Sequence, residues 1–125
     1  ILRADDARRA IEAGADGVVV SNHGARNLDG ATPSITALPA IAAEIGQHGT
    51  ILLDSGIRHG ADIARALALG ADAILLGRAV LFGLAAYGQA GAARALQLLR
   101  HEFETAMALL GATSPAEITR DLVLT

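Results

Sequence analysis

The sequence predicts an α/β fold with parallel strands, formed by the last three strands, with their helices, of a (β/α)8 TIM barrel. Three observations support this: a helix–strand unit occurs twice, the strand segments are continuous aliphatic runs, and a polar loop follows each run. Three units are too few to close a barrel of eight strands. Residues 1–125 are therefore interpreted as the C-terminal part of a single barrel domain whose N-terminal strands lie outside this chain, which also lacks an initiating methionine. A truncated doubly wound sheet is the alternative.

The repeated unit is a helix that ends at a glycine and leads through a short turn into an aliphatic strand. Residues 10–20 align with residues 66–76, so that Gly70 stands 56 residues after Gly14. Glycine commonly closes a helix because it adopts the left-handed conformation without strain. The aliphatic runs do not alternate with polar residues, which is typical of parallel strands covered on both faces.

The predicted elements follow from these signals in chain order. They are a helix over 5–13, a strand over 17–21, a helix over 35–45, a strand over 50–54, a helix over 60–69 and a strand over 73–76. Pro39 favours a second helix that starts at that proline, because proline fits the first turn. A long helical region follows Gly77 and Arg78, and one apolar face of it carries Ala92, Leu96, Leu99, Phe103, Ala106 and Leu110. Gly111 is expected to end this helix, and Ser114–Pro115 to start a last short turn.

Composition narrows the range of possible functions. The chain is 52% hydrophobic but only 2% aromatic, and its net charge is −3. With no basic stripe and few aromatic side chains, no nucleic-acid partner is expected. All ten basic residues are arginines, and there is no cysteine. The lack of cysteine suits a reducing compartment, so we expect a cytoplasmic or membrane-peripheral location.

The first strand is followed by the loop Ser21–Gly30, which contains His23 and Arg26. A histidine and an arginine three residues apart offer a base and a fixed cation side by side. This pair could remove a proton from a small carboxylic acid while the arginine holds its carboxylate.

The other two strands end in segments that resemble phosphate sites. The second is followed by Asp54–Asp62, in which small residues allow close approach and Arg58 offers a fork of donors. The next helix begins near Gly60, and the free N–H groups of its first turn could face the same phosphate. The third strand ends in Gly77 and Arg78. The alternative is that Arg58 and Arg78 pair with Asp54 or Asp62.

Together these three segments resemble the FMN-dependent L-2-hydroxy-acid oxidases and dehydrogenases. The family's motif around its catalytic histidine is matched by residues 21–29, which read SNHGARNLD, and a second motif by residues 54–62, which read DSGIRHGAD. A third is matched by Ala66–Ala71 followed by Gly77 and Arg78. Asn27 replaces the more usual glutamine, and Ser55 stands where many members carry glycine. The resemblance covers nearly the whole chain.

The resemblance implies a role for each matched residue. His23 would be the general base and would also contact the substrate, and Arg26 would bind the substrate carboxylate. FMN would be the cofactor, held by Ser21, Asp54, Ser55, Gly56, Ile57, Arg58, Gly77 and Arg78. The substrate would be an L-2-hydroxy acid such as lactate, glycolate or mandelate, and the product the 2-oxo acid.

The resemblance also implies what this chain lacks. The flavin-contacting lysine, the substrate-contacting tyrosines and the aspartate that pairs with the base would come from the earlier strands. The chain alone is therefore expected to be inactive without the N-terminal part of the barrel. A homotetramer is expected by the same resemblance. The alternatives are another FMN- or phosphate-binding barrel, such as an isomerase or nucleotide dehydrogenase, and a half-barrel that only binds ligands or a partner chain.

The remaining histidines and the single tyrosine carry weaker expectations. His48 and His101 are expected on the surface, and His59 beside the phosphate loop. Tyr87 is expected in the core or in a subunit contact. No metal site is predicted, because no histidine has a suitably spaced partner.

Overall fold

The computed structural model describes residues 1–123 and contains one parallel sheet with a layer of helices. The strands are β1 (Gly17–Val20), β2 (Thr50–Leu53) and β3 (Ala73–Ile74), in the spatial order β1-β2-β3. The helices are α1 (Ala4–Glu12), α2 (Ser34–Ile45), α3 (Gly60–Ala68) and α4 (Arg78–Leu110). The predicted α/β class, the parallel pairing and the order of elements are confirmed. The strands end one or two residues earlier than expected, where the polar loops turn away from the sheet.

The helices cover only one face of the sheet. Val18 is in register with Ile51 and Val20 with Leu53, and all four side chains are buried. They share one core with Ala7 of α1, with Ala66 of α3 and with the apolar side of α2, namely Ala37, Leu38, Ile41 and Ile45. Val19 points to the opposite face and is 36% exposed. The expectation that both faces are covered is therefore wrong for this chain.

Helix α2 begins at Ser34 and runs through Pro39, so the prediction of a start at Pro39 is wrong. The N–H groups of Thr36 and Ala37 both donate to the carbonyl of Pro33, which forms the first turn. Proline within a helix removes one hydrogen bond. Ala37 is buried on the N-terminal side of this proline and Ile41 on its C-terminal side. Burial of this apolar face in the core outweighs the lost bond.

Helix α4 is one helical region broken at Tyr87 and Gly88. Both residues leave the helical conformation, with φ values of −142° and 59°. The chain turns back on itself there. The backbones of Gly83 and Gly91 lie so close together that a Cβ built on Gly83 would overlap the backbone of Gly91. Only glycine permits such close contact between two backbones.

The C-terminal half of α4 packs against α3. Leu99 is buried, and Phe103 and Ala106 pack against the cluster formed by Ala64, Ala68, Ala112 and Ile118. Leu96 is 47% exposed, so its predicted place on the buried face is wrong; it lies outside the cluster that α3 forms with this helix.

The segment after α4 begins as predicted. Gly111 closes the helix with a φ of 76°, and Ser114 precedes a short 3-10 turn over Pro115–Glu117. The Glu117 carboxylate accepts hydrogen bonds from the N–H and the hydroxyl of Thr113, both at 2.8 Å. These bonds, the backbone bond first, lower the pKa of Glu117. A second 3-10 turn spans Arg120–Leu122.

None of the helices within residues 1–123 combines the length and apolarity that a membrane crossing requires.

Candidate active site

The carboxyl ends of the three strands meet at one edge of the sheet, as parallel pairing requires. The loops that follow them border an open cavity of about 670 Å³. Its walls come from all three strand-end segments and from the start of α4: His23, Gly24, Arg26, Asp54, Ser55, Gly56, Ile57, Arg58, Leu75, Gly77, Arg78, Ala79, Leu81 and Phe82. Every predicted site residue except Ser21 lines this cavity.

The first loop makes a left-handed turn at its centre. His23, Gly24 and Ala25 have φ values of 57°, 72° and 58°. Residues with a Cβ adopt this conformation only when their surroundings hold them there. The hydroxyl of Ser21 accepts a bond from the His23 N–H at 3.0 Å, and the Asn22 side chain accepts one from the Ala25 N–H at 3.1 Å. Asn22 was missed from sequence, although its position three residues before Ala25 is typical of a capping side chain.

His23 and Arg26 lie next to each other. The Arg26 Nη2 atom is 2.7 Å from the His23 Nε2 atom, and both side chains are exposed. Because a guanidinium can only donate hydrogen bonds, Nε2 must accept in this contact. A neutral imidazole in this contact would carry its proton on Nδ1 and have its lone pair on Nε2.

Gly24 connects the three strand-end loops. Its N–H donates to the Ser55 hydroxyl at 2.9 Å, and its carbonyl accepts from the Arg78 Nη2 atom at 3.0 Å. A Cβ built on Gly24 would lie 2.7 Å from that same nitrogen. The space between the first and third loops is therefore wide enough for glycine and for no larger residue without movement of Arg78.

The second loop turns sharply at Ser55 and Gly56, which have φ values of 71° and 85°. The buried hydroxyl of Ser34 supports this turn from below, 2.6 Å from the Asp54 carbonyl oxygen. The Ser55 hydroxyl donates to the Asp54 carboxylate at 2.6 Å. Ser34 was missed from sequence, since nothing in its local pattern indicates a contact 20 residues away.

The N-terminus of α3 is not free to bind an anion, contrary to expectation. The Gly60 N–H donates to the Glu102 carboxylate at 2.8 Å, and a Cβ on Gly60 would overlap the backbone of α4. The Asp62 carboxylate accepts from the N–H groups of Arg58 and His59, each at 3.0 Å. His59 lies 3.5 Å from the same Glu102 carboxylate. These contacts attach α4 to α3 beside the second loop.

The cavity is electropositive. It is lined by the side chains of Arg26, Arg58 and Arg78 and by a single carboxylate, that of Asp54. Within residues 1–123, neither Arg58 nor Arg78 forms an ion pair with a carboxylate, so the alternative pairing with Asp54 or Asp62 is not found. Three arginines around one cavity favour an anionic ligand.

Other side chains lie partly where expected. His48 and His101 are exposed, as predicted. Tyr87 is 81% exposed, so a place in the core of this chain is wrong. Leu81 and Phe82 give the cavity an apolar wall that the sequence reasoning missed. Arg65 was also missed; it lines a second cavity, of about 310 Å³, together with Arg58 and Arg78.

Comparison with known proteins gives a consistent result. The sequence model of the FMN-dependent dehydrogenase family matches residues 1–125. An L-lactate dehydrogenase of Azorhizobium caulinodans is 59% identical over 121 residues, which are 97% of this chain and 32% of that protein. An L-lactate dehydrogenase of Pseudomonas putida is 57% identical over the same shares of the two chains.

Solved structures agree in fold. A mandelate oxidase bound to (S)-2-phenylpropionate is 50% identical with a TM-score of 0.91, covering 96% of this chain and 36% of its own. A monotopic membrane protein, (S)-mandelate dehydrogenase, is 44% identical with a TM-score of 0.95, covering 99% and 33%. The chain thus spans about a third of the length of these relatives. The resemblance stated from sequence is confirmed: the chain belongs to the FMN-dependent dehydrogenase family, the FMN-dependent 2-hydroxy-acid oxidases and dehydrogenases.

Proposed function

We propose that the protein oxidises an L-2-hydroxy acid to the 2-oxo acid with FMN, and that this chain supplies the base, the carboxylate-binding arginine and most of the FMN site. The observation that carries the proposal is the contact of 2.7 Å between Arg26 and the Nε2 atom of His23, in the wall of a cavity lined by three arginines. A base beside a fixed cation suits a substrate whose carboxylate lies next to the carbon that is oxidised.

The architecture favours the last three strands of a (β/α)8 barrel over a doubly wound sheet. The strands follow one another in sequential order, and α1, α2 and α3 share one core on one face of the sheet. A doubly wound sheet has helices on both faces. The open face, which carries Val19, would then line the barrel interior. The Ile1 nitrogen donates to the Val19 carbonyl at 2.9 Å, along the edge where a further parallel strand would pair. Residues 1–125 would be one part of a single domain.

The residues present fit FMN. The cofactor carries a phosphate, and the Arg58 and Arg78 guanidiniums supply planar donors for it. A Cβ built on Gly56 or Gly77 would meet nothing within 4 Å, so the backbone there is open to a ligand. Asp54, Ser55 and Ile57 complete the second loop, and Ser21 stands at the end of β1. We assign the ribityl chain and the phosphate to these residues.

The chemistry follows from the His23 and Arg26 side chains. Oxidation of the substrate alcohol to a carbonyl removes two protons and two electrons. His23 accepts one proton on Nε2, whose lone pair is available in the neutral tautomer described above. Arg26 binds the substrate carboxylate through its planar fork and fixes the orientation of the acid. When bound, FMN supplies the acceptor for the two electrons and the second proton.

The Arg26 guanidinium must occupy two different positions during this reaction. In the structure it donates to the nitrogen that must accept the substrate proton. A substrate carboxylate therefore has to draw the guanidinium away from Nε2 before the proton is transferred. The proton on Nδ1 points away from this contact and remains available to the aspartate that the family resemblance assigns to the earlier strands.

The substrate is proposed from the relatives, and the partners and location from the family resemblance and from one membrane-associated relative. L-Lactate is the first candidate, because relatives named L-lactate dehydrogenase are 56–59% identical to this chain and the two mandelate enzymes 44–50%. The chain alone is proposed to be inactive without the N-terminal part of the barrel. We propose a homotetramer in the cytoplasm, or at a membrane surface as in the monotopic relative.

The test is the visible spectrum of the full-length protein under anaerobic conditions. We expect a flavin spectrum that bleaches on addition of L-lactate and remains unchanged with D-lactate. L-Mandelate and glycolate are added to separate samples to define the side-chain preference. A flavin spectrum that none of these acids bleaches would refute the proposed oxidation, and a protein that binds no FMN would refute the cofactor site.

A further inference from the structure

The candidate base has a left-handed backbone conformation, which residues other than glycine adopt uncommonly. Within residues 1–123, three residues other than glycine have a left-handed φ: His23, Ala25 and Ser55. Histidine and serine both carry a Cβ, so these conformations persist only where specific contacts hold them. Two of the three residues, His23 and Ser55, are joined through a single hydrogen-bonded peptide group.

Two serine hydroxyls hold the peptide groups on either side of His23. The hydroxyl of Ser21 accepts the N–H of His23 at 3.0 Å, and that of Ser55 accepts the N–H of Gly24 at 2.9 Å. Each peptide group is planar and includes the Cα atom of His23. Fixing both planes therefore fixes φ and ψ of His23, and with them the direction of its Cα–Cβ bond.

The Ser55 hydroxyl is oriented in turn. It donates to the Asp54 carboxylate at 2.6 Å, which leaves its lone pairs facing the Gly24 N–H. The carbonyl of Gly24 accepts a hydrogen bond from the Arg78 guanidinium. The imidazole is exposed and its Nε2 atom contacts Arg26, so these backbone hydrogen bonds set the direction of the Cα–Cβ bond from which the ring reaches that contact.

We propose that Ser55 is a positioning residue for the base: its hydroxyl holds the His23–Gly24 peptide so that the imidazole faces the substrate. The proposal deepens the proposed function and rests on it. It also explains why serine stands at a position with a φ of 71°, where glycine would be free of strain. Glycine there would relax the backbone of the second loop but would leave the Gly24 N–H without its acceptor.

Two variants of the full-length protein separate the hydroxyl from the backbone strain. Ser55→Ala removes the hydroxyl and keeps the Cβ, whereas Ser55→Gly removes the hydroxyl and also relieves the strain. Ser114→Ala is the matched control, because it removes a serine hydroxyl at the far end of α4. We expect Ser55→Gly to be at least as stable to urea as Ser55→Ala.

The activity readout is the rate of anaerobic flavin reduction by L-lactate at saturating FMN. We expect both Ser55 variants to lose about 10- to 100-fold in this rate, since a base displaced by about 1 Å loses as much. KM for L-lactate should stay within about threefold, because Arg26 is untouched. A Ser55→Gly variant that reduces its flavin at the wild-type rate would overturn the proposal. So would a variant that binds FMN weakly but reacts normally once saturated, because Ser55 would then serve the cofactor alone.

The second readout does not depend on activity. Hydrogen–deuterium exchange of the peptide covering residues 22–27 should be about 2- to 10-fold faster at the Gly24 amide in both Ser55 variants, as expected for one lost hydrogen bond. Unchanged protection would show that Ser55 does not hold this peptide. If the wild-type flavin is reduced by none of the acids, the proposed function fails, whereas the exchange data still decide whether Ser55 fixes the loop.

Discussion

Replacing Gly24 with alanine should weaken FMN binding through Arg78. The new Cβ would lie 2.7 Å from the Arg78 Nη2 atom, closer than such atoms can approach, and a tight 3.2 Å from its Cζ atom. The guanidinium is the far end of a flexible side chain, so it moves instead of the backbone. It then leaves the Gly24 carbonyl and the position from which we propose that it binds the phosphate.

Gly30 provides a matched control for the cost of the backbone conformation. Its φ of 78° is close to the 72° of Gly24, but a Cβ there meets nothing within 4 Å. Alanine in this conformation costs about 1–2 kcal/mol at either position. The lost Arg78 hydrogen bond adds less than about 1 kcal/mol to the stability difference, because Arg78 is exposed to solvent. The two variants should therefore unfold at similar urea concentrations.

FMN affinity should separate the two variants. A charge-assisted contact to phosphate that is lost or misplaced corresponds to about 1.4 kcal/mol or more, which is a tenfold rise in Kd. We would titrate the apoprotein with FMN and follow the quenching of flavin fluorescence. Gly24→Ala should bind FMN at least about tenfold more weakly than Gly30→Ala. Equal affinities in the two variants would refute both the proposed phosphate role of Arg78 and its positioning by Gly24.

Three further tests address separate parts of the structure. Arg78→Ala should raise the Kd for FMN by about tenfold or more, and a larger effect on turnover at saturating FMN than on Kd would contradict its phosphate role. Gly60→Ala should lower the free energy of unfolding by about 2 kcal/mol or more, because its Cβ overlaps the backbone of α4, whereas Gly77→Ala has open space and should change it little. A carboxyl group whose pKa is lower in the folded than in the unfolded state stabilises the fold at pH values above its unfolded pKa, here 4.5. That contribution is lost as the pH falls through the lowered pKa. The Glu117→Gln variant should therefore unfold at a lower urea concentration than the wild type at pH 7, and its stability should depend less on pH below 4.5. Identical urea unfolding curves for the two proteins would show that the Thr113 bonds contribute nothing to stability.

Local signals were sufficient to predict most of the fold. Glycines at the helix ends and continuous aliphatic runs identify the helix–turn–strand units, and these signals lie within a few residues of the elements they define. A helix start was wrongly predicted at Pro39 because proline is common in the first turn of a helix. Burial of the surrounding apolar face allows the helix to run through this proline instead. The break at Tyr87 and Gly88 was not predicted, because it depends on the contact between Gly83 and Gly91.

The sequence predicted which loops form the candidate site, but not the contacts between those loops. Polar residues concentrated after each strand indicated the correct edge of the sheet, and His23 and Arg26 are close because they are three residues apart. The bond between Gly24 and Ser55 joins residues 31 positions apart, and that between Gly60 and Glu102 joins residues 42 positions apart. Such pairs leave no local pattern, so the free helix N-terminus at Gly60 was wrongly expected.

The most direct test of the proposed function is anaerobic flavin reduction by L-lactate in the full-length protein and in its His23→Ala variant, both saturated with FMN. We expect the wild-type flavin to bleach and the variant, which keeps Arg26, Arg58 and Arg78, to bind FMN but to be reduced at least about 100-fold more slowly. Reduction of the variant at the wild-type rate would show that His23 is not the base.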